Sequence, residues 1–372
     1  MMKMAYIYQE SRDLSKANVY QSSSMVKAFS LHCEVDWYRG WNKLKFPPEY
    51  DKVNQKRILN IGLFQEVSFI LEKISRLIFS IHTMIMISQN KPDVIFTRDF
   101  GFLLFYSYLP RWLKTPCPII FEAHKVYHRV SEKVSKEQEG LVISSAQFIV
   151  AVSSGIKDDL ISDFKINSNN IRVEANGIEP TLELQMSNHD GYIKNFVYAG
   201  SLESWKGVDT LIEASQLLND FSGKVYIIGG EEDEQMKFRK EIPEFVYLLP
   251  RMSRSDLFPL LTTMDVGLIP TLDEIEGSRY TSPIKFFEYI QCGLSILASD
   301  TYAMKSIEAL GFKMEFFKVG DAHSLASNIQ KMAGQPQNSN LIRHNSDLIK
   351  SFSWQKRAER IIENYRIIDT ST

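Results

Sequence analysis

At 372 residues the chain is long for a single hydrophobic core, so two domains are expected. Its hydrophobic fraction of 44% and charged fraction of 24% are ordinary for a globular protein, and a net charge of −2 gives no reason to expect a nucleic-acid partner. The three cysteines, Cys33, Cys117 and Cys292, are odd in number and far apart, which favours buried thiols in a reducing compartment over a disulfide framework or a zinc site.

The first residues turn polar too soon for a signal peptide. The most apolar runs, residues 77–87 and 100–109, fall short of the roughly 20 residues that span a bilayer. We therefore expect a cytoplasmic protein. The apolar segment 100–112, with Arg111 and Lys114, is either a buried helix, which we favour, or a peripheral contact with the inner face of the membrane.

Short apolar runs rich in β-branched residues alternate with longer amphipathic segments along the chain. This alternation predicts parallel sheets covered by helices on both faces, an α/β fold. The predicted strands are residues 4–8, 93–98, 118–124, 147–153, 171–177, 195–201, 224–230, 245–250, 265–270 and 295–300. Helical patterns cover residues 207–218, 253–263 and 351–368.

The pattern pauses at residues 181–194, which are polar and weakly periodic. We predict one domain over residues 1–183, a second over 195–352, and a C-terminal helix over 353–372 that packs back on the first domain.

A candidate anion site lies in residues 196–214, FVYAGSLESWKGVDTLIEA. A buried strand runs into Gly200 and Ser201, and a short loop then brings Lys206 and Gly207 to the start of a helix. Backbone N–H groups, a hydroxyl and an ammonium at a helix N-terminus suit an anion. An ordinary turn with a solvated lysine fits the spacing equally well. The segment is not a P-loop, and the dinucleotide-binding pattern Gly-x-Gly-x-x-Gly is also missing after the next strand, which weighs against a dehydrogenase.

Residues 278–293, SRYTSPIKFFEYIQCG, predict a helix with one carboxylate among apolar side chains. Ser282 is the predicted N-cap and Pro283 the predicted first-turn residue, and Gly293 ends the helix.

Lys285, Glu288 and Gln291 share one face of that helix. One interpretation is a polar surface stripe with a weak Lys–Glu pair. The other is a ribose site, because a glutamate can accept hydrogen bonds from two vicinal hydroxyls while the N–H groups around Pro283 and Ile284 face a phosphate.

His124 stands at the carboxyl end of the predicted strand 118–124, at the edge where open α/β sheets bind ligands. A lone histidine is more often structural than catalytic. The other six histidines have no ligand-like spacing, so no metal site is predicted.

Together these stretches resemble the retaining glycosyltransferases of family 4, the group 1 glycosyltransferases with GT-B architecture. The similarity lies in the segments YAGSLESWKGVDTLIEA, SPIKFFEYIQCGLSILASD, VAVSSGIKDDL, IRVEANGIE, FEAHKVY and FSWQKRAERIIENY, and it covers most of the chain from about residue 93 onward. The resemblance implies two facing Rossmann-like domains, the first binding an acceptor and the second a nucleotide-sugar donor.

The resemblance also implies roles for individual residues. Lys206 would stabilise the leaving diphosphate, Glu288 would hold the ribose, and His124 would approach the donor sugar; these three are the predicted catalytic residues. The remaining predicted donor-binding residues are Gly200, Ser201, Pro250, Arg251, Met252, Ser282, Pro283 and Ile284. Charge develops on the diphosphate, and a fixed ammonium with helix N–H donors stabilises it, so no metal and no cofactor are expected.

Three departures from the family pattern stand out. Ser201 replaces a frequent arginine, and Tyr280 stands eight residues before Glu288, where many members carry a first glutamate. The usual Gly-rich loop after the first strand is replaced by residues 11–29, where Ser15, Lys16 and Asn18 are candidates for the same place.

We therefore predict transfer of a hexose-type sugar from a nucleotide diphosphate to a saccharide or lipid-linked acceptor in cell-envelope polysaccharide or glycolipid synthesis. A sugar-nucleotide epimerase on the same fold is one alternative, although no pair of acid–base carboxylates is apparent. A catalytically decayed partner subunit is another. Ser201 and Tyr280 favour it, and Lys206, Glu288 and His124 oppose it.

Overall fold

The computed structural model describes residues 1–9, 17–40, 53–58, 69–179, 191–239 and 242–369. The chain divides into two compact units. The first comprises Met1–Val152, Ile156–Ala175 and Trp354–Thr372, and the second comprises Ser153–Gly155 and Asn176–Ser353.

The first unit is built on a parallel sheet, which has seven strands in the part of the chain described. They are β1 Lys3–Tyr8, β2 Glu34–Gly40, β3 Asn54–Ile58, β4 Val94–Thr97, β5 Ile119–Ala123, β6 Phe148–Ala151 and β7 Ile171–Val173. The strand order is β3-β2-β1-β4-β5-β6-β7, so the direction of winding reverses between β1 and β4. In open α/β sheets, ligands bind beyond the carboxyl ends of the strands at such a switch point.

The helices of this unit are α1 Ala17–Phe29, α2 Phe69–Asn90, α3 Phe100–Tyr108, α4 Tyr127–Val130, α5 Lys136–Ser145, α6 Ser154–Phe164 and α14 Trp354–Asp369. Strands β4, β5 and β6 are buried along their whole length, as expected for apolar strands covered on both faces. Trp354 and Ile361 of α14 lie in the same hydrophobic cluster as Tyr6, Phe29 and Phe96. The last helix of the chain is therefore part of the core of the first unit.

The second unit has a parallel sheet of the same winding, with six strands among the described residues in the order β10-β9-β8-β11-β12-β13. They are β8 Asn195–Ala199, β9 Lys224–Ile228, β10 Val246–Leu249, β11 Val266–Ile269, β12 Ser295–Ser299 and β13 Glu315–Phe317. Its helices are α7 Val208–Gln216, α8 Glu232–Met236, α9 Arg254–Leu261, α10 Ile284–Gln291, α11 Tyr302–Ala309, α12 Ala322–Met332 and α13 Ser339–Ile349.

The α/β prediction is confirmed, and each of the ten predicted strands is present. Three strands were missed: β2, β3 and β13. Strand β2 carries Asp36 and Arg39 in its buried interior, and β13 has only three residues. The Asp36 carboxylate forms ion pairs with Lys3 on β1 and Lys56 on β3, at 3.5 and 3.7 Å. These charged side chains break the apolar run that identifies a buried strand in sequence.

The chain enters the second unit earlier than the predicted linker at residues 181–194. Asn176 donates its backbone N–H to the Ser282 hydroxyl, and the Ile178 N–H donates to Phe352 O, so both residues belong to the second unit. Residues 180–190 of that predicted linker lie outside the described part of the chain. No helix in the described part is long and apolar enough to cross a bilayer.

Candidate active site

The carboxyl end of β5 carries a buried carboxylate next to the predicted histidine. Glu122 is the fourth residue of the strand and 2% exposed, and His124 follows the last strand residue. His124 Nε2 lies 2.6 Å from Glu122 Oε1. An ionised carboxylate can only accept, so Nε2 carries the proton and Nδ1 is left as an acceptor. The strand end thus fixes one tautomer of His124.

Two arginines complete this cluster in the first unit. Arg98, just after β4, directs one NH2 group to His124 Nδ1 at 3.4 Å and to Gln21 Oε1 at 2.8 Å. Arg357 of α14 is fully buried, and its Nη1 lies 3.5 Å from Glu122 Oε2. The cluster therefore connects the carboxyl ends of β4 and β5 with α14. The Glu122 carboxylate contacts both His124 and Arg357.

The surroundings of this cluster lower the pKa values of both His124 and Glu122. Burial, followed by the Arg98 charge, lowers the pKa of His124 to about 4, although Glu122 opposes them. Burial alone would raise the pKa of Glu122, but Arg357 and His124 outweigh it and hold that pKa well below its usual range. His124 is therefore neutral and Glu122 ionised at neutral pH.

In the second unit, the predicted anion site forms at the carboxyl end of β8. The Gly200 N–H donates to Ile228 O at the end of β9, and a Cβ built on Gly229 would lie 1.8 Å from Gly200 O. The two backbones can approach this closely because Gly229 has no side chain. A Cβ built on Gly200 would instead lie 2.6 Å from the Tyr198 hydroxyl oxygen. Ser201 is exposed, and its hydroxyl donates to Glu203 Oε2 at 2.8 Å.

Lys206 ends a 3₁₀ turn, Ser204–Lys206, directly before α7. Gly207 caps that helix with φ +73°, and a Cβ there would meet Pro270 O at 1.8 Å. The Lys206 ammonium lies 3.6 Å from the centroid of the Trp205 ring. Burial, together with the charge of Lys285, lowers the pKa of Lys206 to about 8, against the opposing effect of Glu203. The turn therefore holds a desolvated cation at the sheet edge where ligands bind.

The start of α10 differs from the prediction. Pro283 is the N-cap and Ile284 the first helical residue, so the assignment of Ser282 as N-cap is wrong. The Ser282 hydroxyl instead accepts the Asn176 N–H at 2.9 Å, and Ser282 O accepts from Asn176 Nδ2 at 2.7 Å. Because these bonds engage Ser282, its side chain does not cap the helix. The prediction that the helix ends at Gly293 fits the positive φ of +80° there.

Glu288 of α10 is 1% exposed, so the alternative of a surface stripe is wrong. Its Oε1 accepts from Arg254 Nη1 at 2.5 Å, and its Oε2 lies 2.7 Å from Lys285 Nζ. On the same face, Gln291 Nε2 donates to Glu179 O at 2.7 Å. The buried carboxylate is therefore bracketed by two cations that are themselves partly exposed.

Three further predicted donor residues lie in the loop between β10 and α9. Pro250, Arg251 and Met252 follow β10 and precede Ser253, the N-cap of α9, whose first residue is Arg254. Tyr280, in the position of the missing first glutamate, is 1% exposed. It fills the position with a buried ring, not with a charge.

Of the candidates near β1, Asn18 lies in the first turn of α1, and its Nδ2 donates to the Tyr8 hydroxyl at 2.9 Å. Ser15 and Lys16 lie outside the described residues.

Sequence reasoning missed Arg98, Glu122 and Arg357 around His124, and Arg254 as a partner of Glu288. The Lys285–Glu288 pair that the helical spacing suggested is present, although its carboxylate is buried. Arg254 could have been found, because it is the second residue of the predicted helix 253–263, which follows the predicted strand 245–250. Arg357 could not, because it is 235 residues from Glu122 in sequence.

Two family models match the chain. The one described as Glycosyltransferase Family 4 matches residues 30–182, and the one described as Glycosyl transferases group 1 matches residues 193–335. No curated protein sequence matches.

Several solved structures share the fold along the whole chain. The lipopolysaccharide outer core galactosyltransferase WaaB, in its apo form, has a TM-score of 0.71 at 16% identity, over 100% of this chain and 99% of its own. Anabaena HepE in complex with UDP and glucose has a TM-score of 0.70 at 15% identity, over 98% and 100%. Sucrose-phosphate synthase from Thermosynechococcus elongatus has a TM-score of 0.77 at 12% identity, over 100% of both chains.

At these identities the likeness establishes the fold, and the predicted GT-B architecture is confirmed. The two family matches together span most of the chain. The chain belongs to the group 1 glycosyltransferases of family 4.

Proposed function

We propose that this protein is a retaining glycosyltransferase that moves a hexose-type sugar from a nucleotide diphosphate to a saccharide or lipid-linked acceptor in cell-envelope polysaccharide or glycolipid synthesis. The observation that carries the proposal is the buried Glu288 carboxylate of α10, which is paired with Arg254 of α9 and with Lys285 of α10. The charge of Lys285 also lowers the pKa of Lys206. A carboxylate for ribose hydroxyls and a set of cations for phosphates then lie in one unit.

Lys206 is the proposed diphosphate-binding cation. A desolvated ammonium interacts with a phosphate more strongly than a solvated one, and its fixed position removes the cost of reorganisation as charge develops on the leaving group. Gly200 is proposed to lie against a phosphate, because a residue without a side chain lets a ligand approach the backbone. The N–H groups of Ile284 and Lys285, at the start of α10, are further donors.

Lys285 is proposed to supply the second positive charge that Ser201 lacks. Its ammonium is bound to Glu288 but lies near enough to Lys206 to lower that residue's pKa. When ribose hydroxyls bind Glu288, Lys285 can exchange its carboxylate partner for a phosphate oxygen. Arg254 would continue to balance the Glu288 charge throughout this exchange.

His124 is proposed to approach the donor sugar as a neutral group. Both ring nitrogens already have partners, so a sugar hydroxyl would have to displace one of them. The 3.4 Å contact with Arg98 is the weaker of the two, and Nδ1 is therefore the atom expected to accept from the sugar. The predicted donor site needs no cofactor, because the nucleotide-sugar is itself a substrate. We also propose that transfer proceeds without a divalent metal.

The relatives guide the choice of donor and acceptor. HepE was solved with UDP and glucose, and WaaB is a galactosyltransferase of the lipopolysaccharide outer core. UDP-hexoses and saccharide acceptors are accordingly the first substrates to test.

The experiment is a thermal-shift panel of UDP-, GDP-, ADP- and dTDP-sugars with wild-type protein and the Lys206→Ala variant. A ligand that binds only the folded state raises the unfolding temperature as its concentration exceeds Kd. We expect one base to stabilise the wild type and the variant to lose most of the shift. No shift with any donor contradicts the donor-site assignment.

The preferred donor is then incubated with and without saccharide acceptors, and the products are examined by NMR. Retained anomeric configuration in a transferred sugar supports the proposal. An epimerised donor without acceptor identifies the epimerase alternative. Donor binding without any turnover identifies a decayed partner subunit, for which the buried Tyr280 is the observation in favour.

A further inference from the structure

Two buried side-chain donors lie at neighbouring strand ends in the first unit. Arg98, which is 8% exposed, follows β4, and Gln9 follows β1. The two strands pair in parallel with Ile7 opposite Thr97, so the residues after them leave the sheet at the same edge. Arg98 Nη1 and Gln9 Nε2 have no hydrogen-bond partner within the described part of the chain. They lie where the winding of the sheet reverses, the place where open α/β sheets bind ligands.

The rest of the Arg98 guanidinium is held in place. Its Nη2 donates to Gln21 Oε1 at 2.8 Å and lies 3.4 Å from His124 Nδ1. Its Cζ lies 4.9 Å from the centroid of the Tyr8 ring, and the Tyr8 hydroxyl in turn accepts from Asn18 of α1. Because these contacts engage one side of the guanidinium, Nη1 is the group left to bind a ligand.

The neighbouring carboxylates form their hydrogen bonds elsewhere. Asp99 caps α3, which packs buried side chains into the unit as the favoured interpretation of residues 100–112 predicted. Its two oxygens accept the backbone N–H groups of Gln9 and Phe102, both at 3.0 Å. The oxygens of Glu122 face two other residues of the cluster. A buried, charged donor that lacks an acceptor is costly, so the site favours a ligand that brings a negative charge.

We propose that Arg98 and Gln9 bind a sugar carboxylate of the acceptor, and that the acceptor saccharide therefore carries a hexuronic acid or another acidic sugar with one negative charge. One free cationic N–H group and one neutral amide suit a monoanion. A phosphate monoester carries close to two charges and three acceptor oxygens at neutral pH, and the nearby Asp99 and Glu122 would repel its second charge. The assignment to the acceptor rests on the proposed function, in which the phosphate-binding cations lie in the second unit.

The test is a ligand-observed NMR titration of the full chain with methyl glucuronide, methyl glucoside and glucose 6-phosphate, with no nucleotide present. We expect the glucuronide to bind at least about tenfold more tightly than the glucoside, because a hydrogen bond to a charged group contributes more than a neutral one. Arg98→Gln should abolish this preference. Gln9→Leu should reduce it while leaving the contact between Arg98 and His124 intact.

Arg172→Gln is the matched control, because it removes the same charge from the same unit. Arg172 lies on β7, separated from β4 by β5 and β6, and its Nη1 donates to Ser168 O at 2.9 Å. This change should leave the preference for the glucuronide as it is in the wild type. All variants are first compared in unfolding temperature, so that loss of binding is not loss of folding.

Equal binding of glucuronide and glucoside by the wild type overturns the proposal, as does a preference that survives Arg98→Gln. Tighter binding of glucose 6-phosphate than of the glucuronide overturns the assignment to a carboxylate. An Arg98-dependent preference without any sugar transfer would support the carboxylate site and contradict the proposed function. Transfer to neutral and acidic acceptors at equal rates would do the reverse, so the two failures are distinguishable.

Discussion

His124 donates its Nε2 proton to Glu122 across 2.6 Å, and the same carboxylate faces Arg357 on its other oxygen. The histidine ring is therefore oriented by a residue of its own strand and, through it, by the last helix of the chain. Arg98 occupies the remaining nitrogen. In the first unit, the predicted catalytic histidine is the solvent-facing end of a buried charge network.

Removing the Glu122 charge should destabilise the first unit strongly. Glu122→Gln leaves Arg357 buried without its carboxylate, and loss of one member of a buried ion pair typically costs about 3–5 kcal/mol. The free energy of unfolding, measured in urea, checks this value. Glu359→Gln is the control, since Glu359 pairs with Lys356 at the surface, and its loss should change the free energy of unfolding far less. Similar costs for both changes would contradict the buried network.

His124 should remain neutral through the physiological range. With a pKa of about 4, it gains its proton only well below pH 5, so kcat/KM should show no His124-dependent fall between pH 8 and pH 5. NMR of ¹⁵N-histidine-labelled protein should show a neutral ring with the proton on Nε2 at pH 6. An apparent pKa near 6.5 for this residue would contradict the assigned network.

Lys206 should produce an alkaline limit on activity. It binds a diphosphate when protonated, and its proton is lost above a pKa of about 8, so kcat/KM should fall about tenfold per pH unit beyond that point. Lys206→Arg keeps the charge at all accessible pH values, so it should remove this fall even if the rate is lower. The same fall in Lys206→Arg would show that another group causes it.

Gly207, next to Lys206, packs so closely against Pro270 O that a side chain there should destabilise the fold. Gly207→Ala places a Cβ 1.8 Å from Pro270 O in a residue with φ +73°. Gly334→Ala has nearly the same φ, +74°, with no atom within 4 Å of the new Cβ. We expect about 1 kcal/mol of destabilisation at Gly334 from backbone strain, and about 1–3 kcal/mol more at Gly207 from the clash. Equal costs would mean that the turn is free to relax.

Much of the fold could be predicted from the sequence because parallel strands are continuous apolar runs. That signal identified ten strands and failed at β2, where Asp36 is buried but compensated by lysines from the two neighbouring strands. Compensation across strands depends on register, which a single sequence does not reveal.

The candidate site could be predicted only where its residues lie in one continuous segment. Lys206 and Glu288 each stand in a recognisable strand–turn–helix pattern. The partners that come from distant segments could not be predicted: Arg254 lies 34 residues from Glu288, and Arg357 lies 235 residues from the Glu122 carboxylate beside His124. The same limit explains the wrong N-cap, because the Ser282 hydroxyl is engaged by Asn176, 106 residues away.

The most direct test of the donor site is calorimetric binding of UDP, GDP, ADP and dTDP, each beside its free nucleoside, to wild type, Glu288→Gln and Lys285→Gln. The account predicts that Lys285→Gln weakens one diphosphate while leaving its nucleoside unaffected, and that Glu288→Gln weakens both, because only Glu288 is assigned to the ribose. Equal losses of diphosphate and nucleoside binding in Lys285→Gln, or unchanged nucleoside binding in Glu288→Gln, would contradict it.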